Sequence, residues 1–378
     1  MASLVALDLP GGPGFVDALR RVWDRGDAAF PLDQRLPALW RGRVLAAMAP
    51  SRIVGPDGQE TVLADGRPVE AGDALVVATS GTTGDPKGVV LTHDALAAHA
   101  RGVHAWLEVD PATDRWLACL PLSHMGGLGV VVRALVDGIG LDVIDGFDRD
   151  TVAAAPAELG STLTSLVPTT LDRLPADHGY RWVVLGGSGD PGPRPTTVVR
   201  TYGLTETGGG VYYATGDRDR FGLIGDAAIR VVDGELQLGG PTLLRAYRDG
   251  TDPRTPDGWL PTGDLGDLTP EGRLTVHGRR GDLIITGGEN VWPAAVEAVL
   301  ARHPAVAEVA VVGRPDPEWG HRVVAVVVPT EGTDPPTLED LRAFTKDHLP
   351  PWAAPRQVEV IPTLPRTALG KPRRDLLR

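Results

Sequence analysis

From residue 74 onward, short apolar runs alternate with stretches whose apolar residues recur at helical spacing. ALVVA at 74–78 is a compact apolar run closed by a Gly-rich turn, the pattern of a buried strand. Thr92 stands before a helical pattern over 93–107 and is the expected N-cap. Strand-like runs follow at WLACL (116–120), LDVI (141–144), TLTSLV (162–167) and WVVLG (182–186), separated by helical patterns near 127–137, 150–158 and 168–174. Such alternation predicts βαβ units, and hence a large α/β domain of mostly parallel sheets sandwiched by helices. Residues 1–73 are weakly patterned, with helical stretches expected only around 15–24 and 36–48.

Near residue 220 the pattern changes. IRVVDGELQL carries the strand–Asp-Gly–strand signal of a hairpin, and LPTGDLGDLTPEGRLTVHGRR reads as further short strands, which together predict a β-rich subdomain. After about residue 282 a small α+β domain is expected. It has a helix opened by Pro293, strands at AVAEVAVVG and HRVVAVVVP, and a capping box from Thr337 to Asp340 before a helix reaching about His348. The polar, Gly-flanked GRRGD at 278–282 is the expected junction, dividing the chain into 1–280 and 281–378.

Composition narrows the function classes. Of 378 residues, 42% are hydrophobic and 23% charged, which is ordinary for a soluble globular chain. A net charge of -12 argues against general binding to nucleic acid or to an anionic membrane. Basic clusters at Arg279-Arg280 and around Lys371 stand out against that background. Cys119 is the single cysteine, which excludes an internal disulfide and fits a reducing compartment. There is no signal-peptide pattern at the N-terminus and no apolar run approaching the ~20 residues of a membrane helix, so a cytoplasmic protein is expected.

Five segments carry candidate chemistry. The first is Ala78-Thr79-Ser80-Gly81-Thr82-Thr83-Gly84-Asp85-Pro86-Lys87-Gly88, directly after a strand. Its glycines expose backbone N–H groups, its hydroxyls add donors and Lys87 adds a cation, a set suited to a triphosphate. It lacks the Gly-Lys-Ser/Thr of the common nucleotide P-loop. In Tyr202-Gly203-Leu204-Thr205-Glu206-Thr207 a carboxylate beside hydroxyls suits Mg²⁺ held against phosphates. Thr262-Gly263-Asp264 offers a carboxylate for ribose hydroxyls. The fourth segment is Gly278-Arg279-Arg280-Gly281-Asp282 followed by Thr286-Gly287-Gly288-Glu289-Asn290, and the fifth is Pro365–Arg374 around Lys371. Taken singly, the last four also read as solvated turns or a basic tail.

In this order and combination the five segments resemble the adenylate-forming superfamily of acyl- and aryl-CoA ligases, peptide-synthetase adenylation domains and luciferases, over residues 74–374. The resemblance implies an ATP-, Mg²⁺- and coenzyme A-dependent ligase that makes an acyl-adenylate and passes the acyl group to a thiol. It assigns Thr79, Ser80, Gly81, Thr82, Thr83, Gly84 and Lys87 to the β- and γ-phosphates, and Thr205 and Glu206 to the α-phosphate and Mg²⁺. Gly186, Gly187, Tyr202 and Gly203 would line the adenine and acyl pockets, and Asp264 and Arg279 would hold the ribose. Lys371 would stabilise charge during adenylation, Gly287 and Gly288 would close on pantetheine, and Gly281 would be the hinge. Members of the superfamily often have Asp two residues after the ribose Arg; here that position is Gly281, with Asp282 next.

Within the superfamily the compact chain, with PLSHMGGLGVVVRAL, SLVPTTLDRL and YGLTET, is most similar to the o-succinylbenzoate–CoA ligases of menaquinone biosynthesis, particularly the short actinobacterial type. His124 falls where a gating residue separates the acyl site from the thiol tunnel. The second carboxylate of such a dicarboxylic acid needs a cation or strong donors, and Arg133, Ser161 and Thr164 are the candidates. The alternatives are a CoA ligase for another aromatic or medium-chain acid, a stand-alone enzyme loading a carrier protein, and a non-catalytic nucleotide-binding regulator. Either a monomer or a homodimer is compatible with the sequence.

Overall fold

The computed structural model describes residues 2–80, 86–187, 194–366 and 372–378, with the side chain of Ser80 left out. Contacts divide the chain into two compact units. One comprises 1–229 and 238–261, the other 230–237 and 262–378.

The first unit holds two seven-stranded sheets. In the first, the order is Ala246–Tyr247, Pro86–Thr92, Asp73–Ser80, Ala28–Pro31, Leu4–Leu7, Arg52–Val54 and Glu60–Val62, with a parallel centre and antiparallel edges. In the second, Val198–Leu204, Trp182–Leu185, Leu163–Leu166, Arg115–Ala118 and Gly140–Val143 run parallel. Gly209–Thr215 and Phe221–Leu223 are added antiparallel. The main core joins Val5, Leu7 and Leu75 of the first sheet to Trp116, Ala118 and Leu163 of the second. Helices His93–Leu107 and Met125–Asp137 supply Leu96, Val103, Leu128 and Val131 to the same core. Met125–Asp137 buries nine of its residues, almost all of its circumference, because apolar layers meet it on more than one side.

Most expected elements are present. Thr92 caps its helix, its hydroxyl accepting from the Ala95 N–H at 3.1 Å. The 74–78 run extends to Asp73–Ser80, and the Asp-Gly signal forms Ala228–Val232 and Glu235–Gly239, turned at Asp233 and Gly234 with φ of 50° and 75°. Two findings differ from the sequence reading. Residues 1–73 contribute four strands in addition to helices Pro13–Asp24 and Ala38–Met48. The helical pattern at 168–174 gives only Pro168–Leu171, after which the N–H groups of Arg173 and Leu174 bond back three residues rather than four.

The second unit contains most of a four-stranded sheet, Ala228–Val232, Glu235–Gly239, Leu260–Leu268 and Leu274–Arg279. It also contains a five-stranded sheet built on the hairpin Val306–Asp316 and Gly320–Pro329. Helices Pro293–Leu300 and Leu338–Lys346 cover one face of that sheet through Val296, Leu300 and Leu341. Pro293 opens the first helix, and Thr337 with Asp340 forms the expected capping box on the second.

Candidate active site

In the first unit, the strand ends bring the motifs together. Parallel strands release their chains at one edge of the second sheet, where open α/β sheets bind ligands. Gly186 and Gly187 follow Trp182–Leu185 there, Gly203 to Glu206 end Val198–Leu204, and His124 comes after Arg115–Ala118. At Gly186 an added Cβ meets nothing within 4 Å, leaving open space beside the backbone. Gly203 is forced by packing, since a Cβ would lie 2.1 Å from the Gly209 carbonyl. Thr207 locks the turn: its hydroxyl accepts from the Leu204 N–H at 2.9 Å and has the carbonyls of Leu204 and Gly209 within reach of its single hydrogen, at 2.9 and 2.7 Å. Tyr202 packs against the main core.

Lys87 and Thr79 are direct cross-strand partners and so share a sheet face. Lys87 places its ammonium 5.2 Å from the centre of the Tyr247 ring, and the Tyr247 hydroxyl donates to Glu206 Oε1 at 2.9 Å. The Leu244 N–H also donates to the Glu206 carbonyl at 2.7 Å. Lys87 and Glu206, expected from the sequence to meet phosphate and magnesium, are thus linked through Tyr247, which the motifs do not include, and Thr79 adjoins Lys87 across the strand pair. Gly81, Thr82, Thr83 and Gly84 lie outside the described residues, as does Lys371.

Arg133 is 5% exposed, deep in the first unit. Its guanidinium lies 4.6 Å from the centre of the Trp116 ring and donates to the Ser165 hydroxyl at 3.1 Å. Among the described residues its Nε has no hydrogen-bond partner and no carboxylate pairs with it. Burial lowers its pKa from the ordinary value. Nearby burial pushes the Tyr213 phenol up to about 12 and the His99 imidazole down to about 3. The His99 Nε2 donates to the Gly210 carbonyl at 2.9 Å, tying this region to the turn that carries Glu206. Trp116 is itself held: its indole N–H donates to His104 Nε2 at 3.1 Å, and His104 Nδ1 meets Asp137 at 2.6 Å. Because an indole only donates, His104 accepts at Nε2 and donates from Nδ1.

Thr164 and Ser161 are placed differently from Arg133. Thr164 donates to the Leu117 carbonyl at 3.0 Å and lies beside Cys119, whereas Arg133 meets the adjacent residue Ser165. Ser161 donates to Asp142 at 3.3 Å. Strand alternation therefore puts Ser165, not Thr164, on the Arg133 side. His124 precedes helix Met125–Asp137 and places Nε2 3.2 Å from Asp33. Burial pushes the Asp33 carboxyl up, but hydrogen bonds from Arg35 and His124 prevail and hold it far below the ordinary carboxylate range.

In the second unit, Asp264 and Arg279 are cross-strand partners joined at 2.7 Å, and Arg279 also donates to the Thr262 carbonyl at 2.8 Å. Asp264 is only 6% exposed. Gly287 and Gly288 turn with φ of 59° and 84°. A Cβ on Gly287 would lie 2.7 Å from the Trp319 ring, while one on Gly288 would meet nothing within 4 Å. Gly281 lies in the short turn Arg280–Asp282, and its carbonyl accepts from Arg378 at 3.0 Å. Among the described residues no group of three His, Cys, Asp or Glu side chains could hold a metal. A single carboxylate at a turn fits Mg²⁺, which is bound by one or two carboxylates together with substrate phosphates. Among the described residues no helix is long and apolar enough to cross a membrane.

The AMP-binding enzyme family matches residues 45–247, and the AMP-binding enzyme C-terminal domain matches 295–371. A probable 2-succinylbenzoate–CoA ligase of Mycobacterium tuberculosis is 40% identical over 89% of this chain and 92% of its own length. A 2-succinylbenzoate–CoA ligase of Bacillus cereus is 35% identical over 80% of this chain and 69% of its own. The crystallised o-succinylbenzoate CoA synthetase of Bacillus subtilis, in complex with its acyl-adenylate intermediate, superposes with a TM-score of 0.86. It is 28% identical and covers 100% of this chain and 88% of its own. With the family match extending over more than half of the chain and the fold shared throughout, this protein belongs to the AMP-binding enzyme family.

Proposed function

We propose that this chain is an o-succinylbenzoate–CoA ligase, which activates one carboxylate of the diacid with ATP and transfers the acyl group to coenzyme A. The carrying observation is Arg133: a buried cation without a carboxylate partner among the described residues, beside the turn that bears Glu206. A buried unpaired charge is costly to a fold, and an anionic substrate group offsets that cost when it binds. A dicarboxylic acid provides one carboxylate for Arg133 and a second for reaction. The 2-succinylbenzoate–CoA ligases among its relatives point to the same acid.

The first half-reaction joins two anions. An oxygen of the substrate carboxylate attacks the α-phosphorus of ATP, the bond to the β-phosphate oxygen breaks, and pyrophosphate leaves. Lys87 and the 79–84 hydroxyls and N–H groups hold the β- and γ-phosphates, Thr205 the α-phosphate, and Asp264 with Arg279 the ribose. Lys371 stabilises charge on the attacking carboxylate and the α-phosphate. Magnesium, held by Glu206 and the phosphates, neutralises phosphate charge when bound. In the second half-reaction the thiol sulfur attacks the acyl carbon, the thiol proton is lost and AMP leaves. Gly186, Gly187, Tyr202 and Gly203 line the pocket, His124 stands at the thiol side, and Gly287 and Gly288 receive the pantetheine backbone. The two steps need different groups at one carbon, and a swivel at Gly281 supplies the exchange.

A panel of carboxylic acids, assayed for acid-dependent pyrophosphate release with and without coenzyme A, tests the proposal. The highest kcat/KM is expected for o-succinylbenzoate, with thioester formed only when coenzyme A is present. Preference for benzoate, a fatty acid or an amino acid overturns the substrate assignment. Transfer to a carrier protein but not to coenzyme A overturns the acceptor.

A further inference from the structure

We infer that Tyr247 is a positioning residue that fixes Glu206 and Lys87 separately on one side chain, so that each is presented to the ATP phosphates and magnesium in a set orientation. The inference rests on the reading of Glu206 and Lys87 given above. Tyr247 reaches this place by pairing: Ala246–Tyr247 is the edge strand of the first sheet, and Tyr247 stands opposite Val89. Lys87 is two residues from Val89 and therefore on the same face, a diagonal neighbour of the tyrosine. The ring face carries the ammonium at 5.2 Å and the phenol reaches Glu206 Oε1 at 2.9 Å. The backbone is anchored on both sides, since the Arg245 N–H donates to the Val90 carbonyl and the Arg248 N–H to the Gly88 carbonyl, at 2.9 and 2.7 Å.

The two contacts do separable work. The hydroxyl has a single hydrogen to donate, and spending it on Oε1 fixes the carboxylate rotamer while Oε2 keeps its lone pairs. The ring attracts the ammonium by its quadrupole without neutralising it, as a carboxylate would. Among the described residues no ion pair joins Lys87 to Glu206. With the aromatic spacer removed, two flexible side chains of opposite charge are free to pair, and phosphate and magnesium must first break that pair.

Calorimetric titration of ATP into the protein, without acid and across a range of magnesium concentrations, separates the two contacts. In Tyr247→Phe the magnesium concentration for half-maximal ATP binding should rise about tenfold or more, the scale of one lost hydrogen bond to a charged group. ATP binding in the presence of chelator should stay within about twofold of wild type, because the ring still seats Lys87. Tyr247→Leu should weaken both measurements. An unchanged magnesium midpoint in Tyr247→Phe, with Glu206→Gln shifting it, overturns the role of Tyr247 alone. If Glu206→Gln also leaves the midpoint unchanged, the assignment of Glu206 falls and the inference with it. Equal weakening of both measurements in Tyr247→Phe marks a general packing defect and contradicts the inference.

Discussion

Arg133 illustrates what a single residue reveals only in three dimensions. Its place in VVVRALVDG shows a cation within an apolar helix, but not that the helix is buried almost all round or that Trp116 and Ser165 receive the guanidinium. Those partners are 17 and 32 positions away, and no local spacing encodes them. Replacing Arg133 by Met should raise KM for o-succinylbenzoate by roughly 10²-fold, the scale of a lost charged hydrogen-bonding partner. It should leave the melting temperature equal or higher, because well-packed apolar groups replace buried charge at little cost. Parallel kinetics and calorimetry check this, and a lower melting temperature with unchanged KM would make Arg133 a structural residue. His99 gives a pH prediction. Its folded pKa near 3 lies below the ordinary value of 6.5, so between these limits the unfolded chain binds the extra proton. Stability should therefore fall as pH drops from 6.5 toward 3, by at most about 1.4 kcal/mol per pH unit from this group. His99→Gln, which still donates to Gly210, should flatten that slope in denaturant melts; an unaltered slope would show that His99 does not contribute to it.

Among the elements, the turn 203–209 is tightly constrained. Gly203 has no room for a side chain, and Gly208 and Gly209 take φ of 68° and 128°. Gly203→Ala should cost about 1–3 kcal/mol by overpacking and displace Glu206, lowering adenylation more than thermal stability. Wild-type adenylation in that variant would show that the turn tolerates the methyl group. This turn was legible in the sequence because its chemistry is local: consecutive hydroxyls, a carboxylate and glycines. The hairpin at Asp233-Gly234 and the caps at Thr92 and Thr337 were legible for the same reason. Leu4–Leu7 and Ala28–Pro31 were not, because each is a four-residue strand buried on both faces, with no alternation to mark it. The Tyr247 contacts were also hidden: Ala246–Tyr247 is a two-residue strand whose meaning comes from pairing with Pro86–Thr92, far away in sequence.

At the scale of the whole molecule, each unit carries part of the proposed chemistry. Glu206, Lys87, His124 and Arg133 belong to the first, and Asp264, Arg279, Gly287 and Gly288 to the second. Lys371, in the C-terminal segment, should serve only one half-reaction. Lys371→Ala should lose roughly 10²-fold or more in adenylation, the effect of one lost transition-state donor, yet still convert supplied acyl-adenylate and coenzyme A to thioester. Equal loss in both steps would remove that division of labour. This chain should join o-succinylbenzoate to AMP before any thiol takes part. A single turnover of excess enzyme with o-succinylbenzoate, ATP and magnesium, without coenzyme A, quenched and analysed by mass spectrometry, reads out that order. o-Succinylbenzoyl-adenylate and pyrophosphate are expected in equal amounts, the adenylate disappearing into thioester and AMP when coenzyme A is added. Release of ADP and phosphate, or no adenylate while thioester still forms, would contradict it.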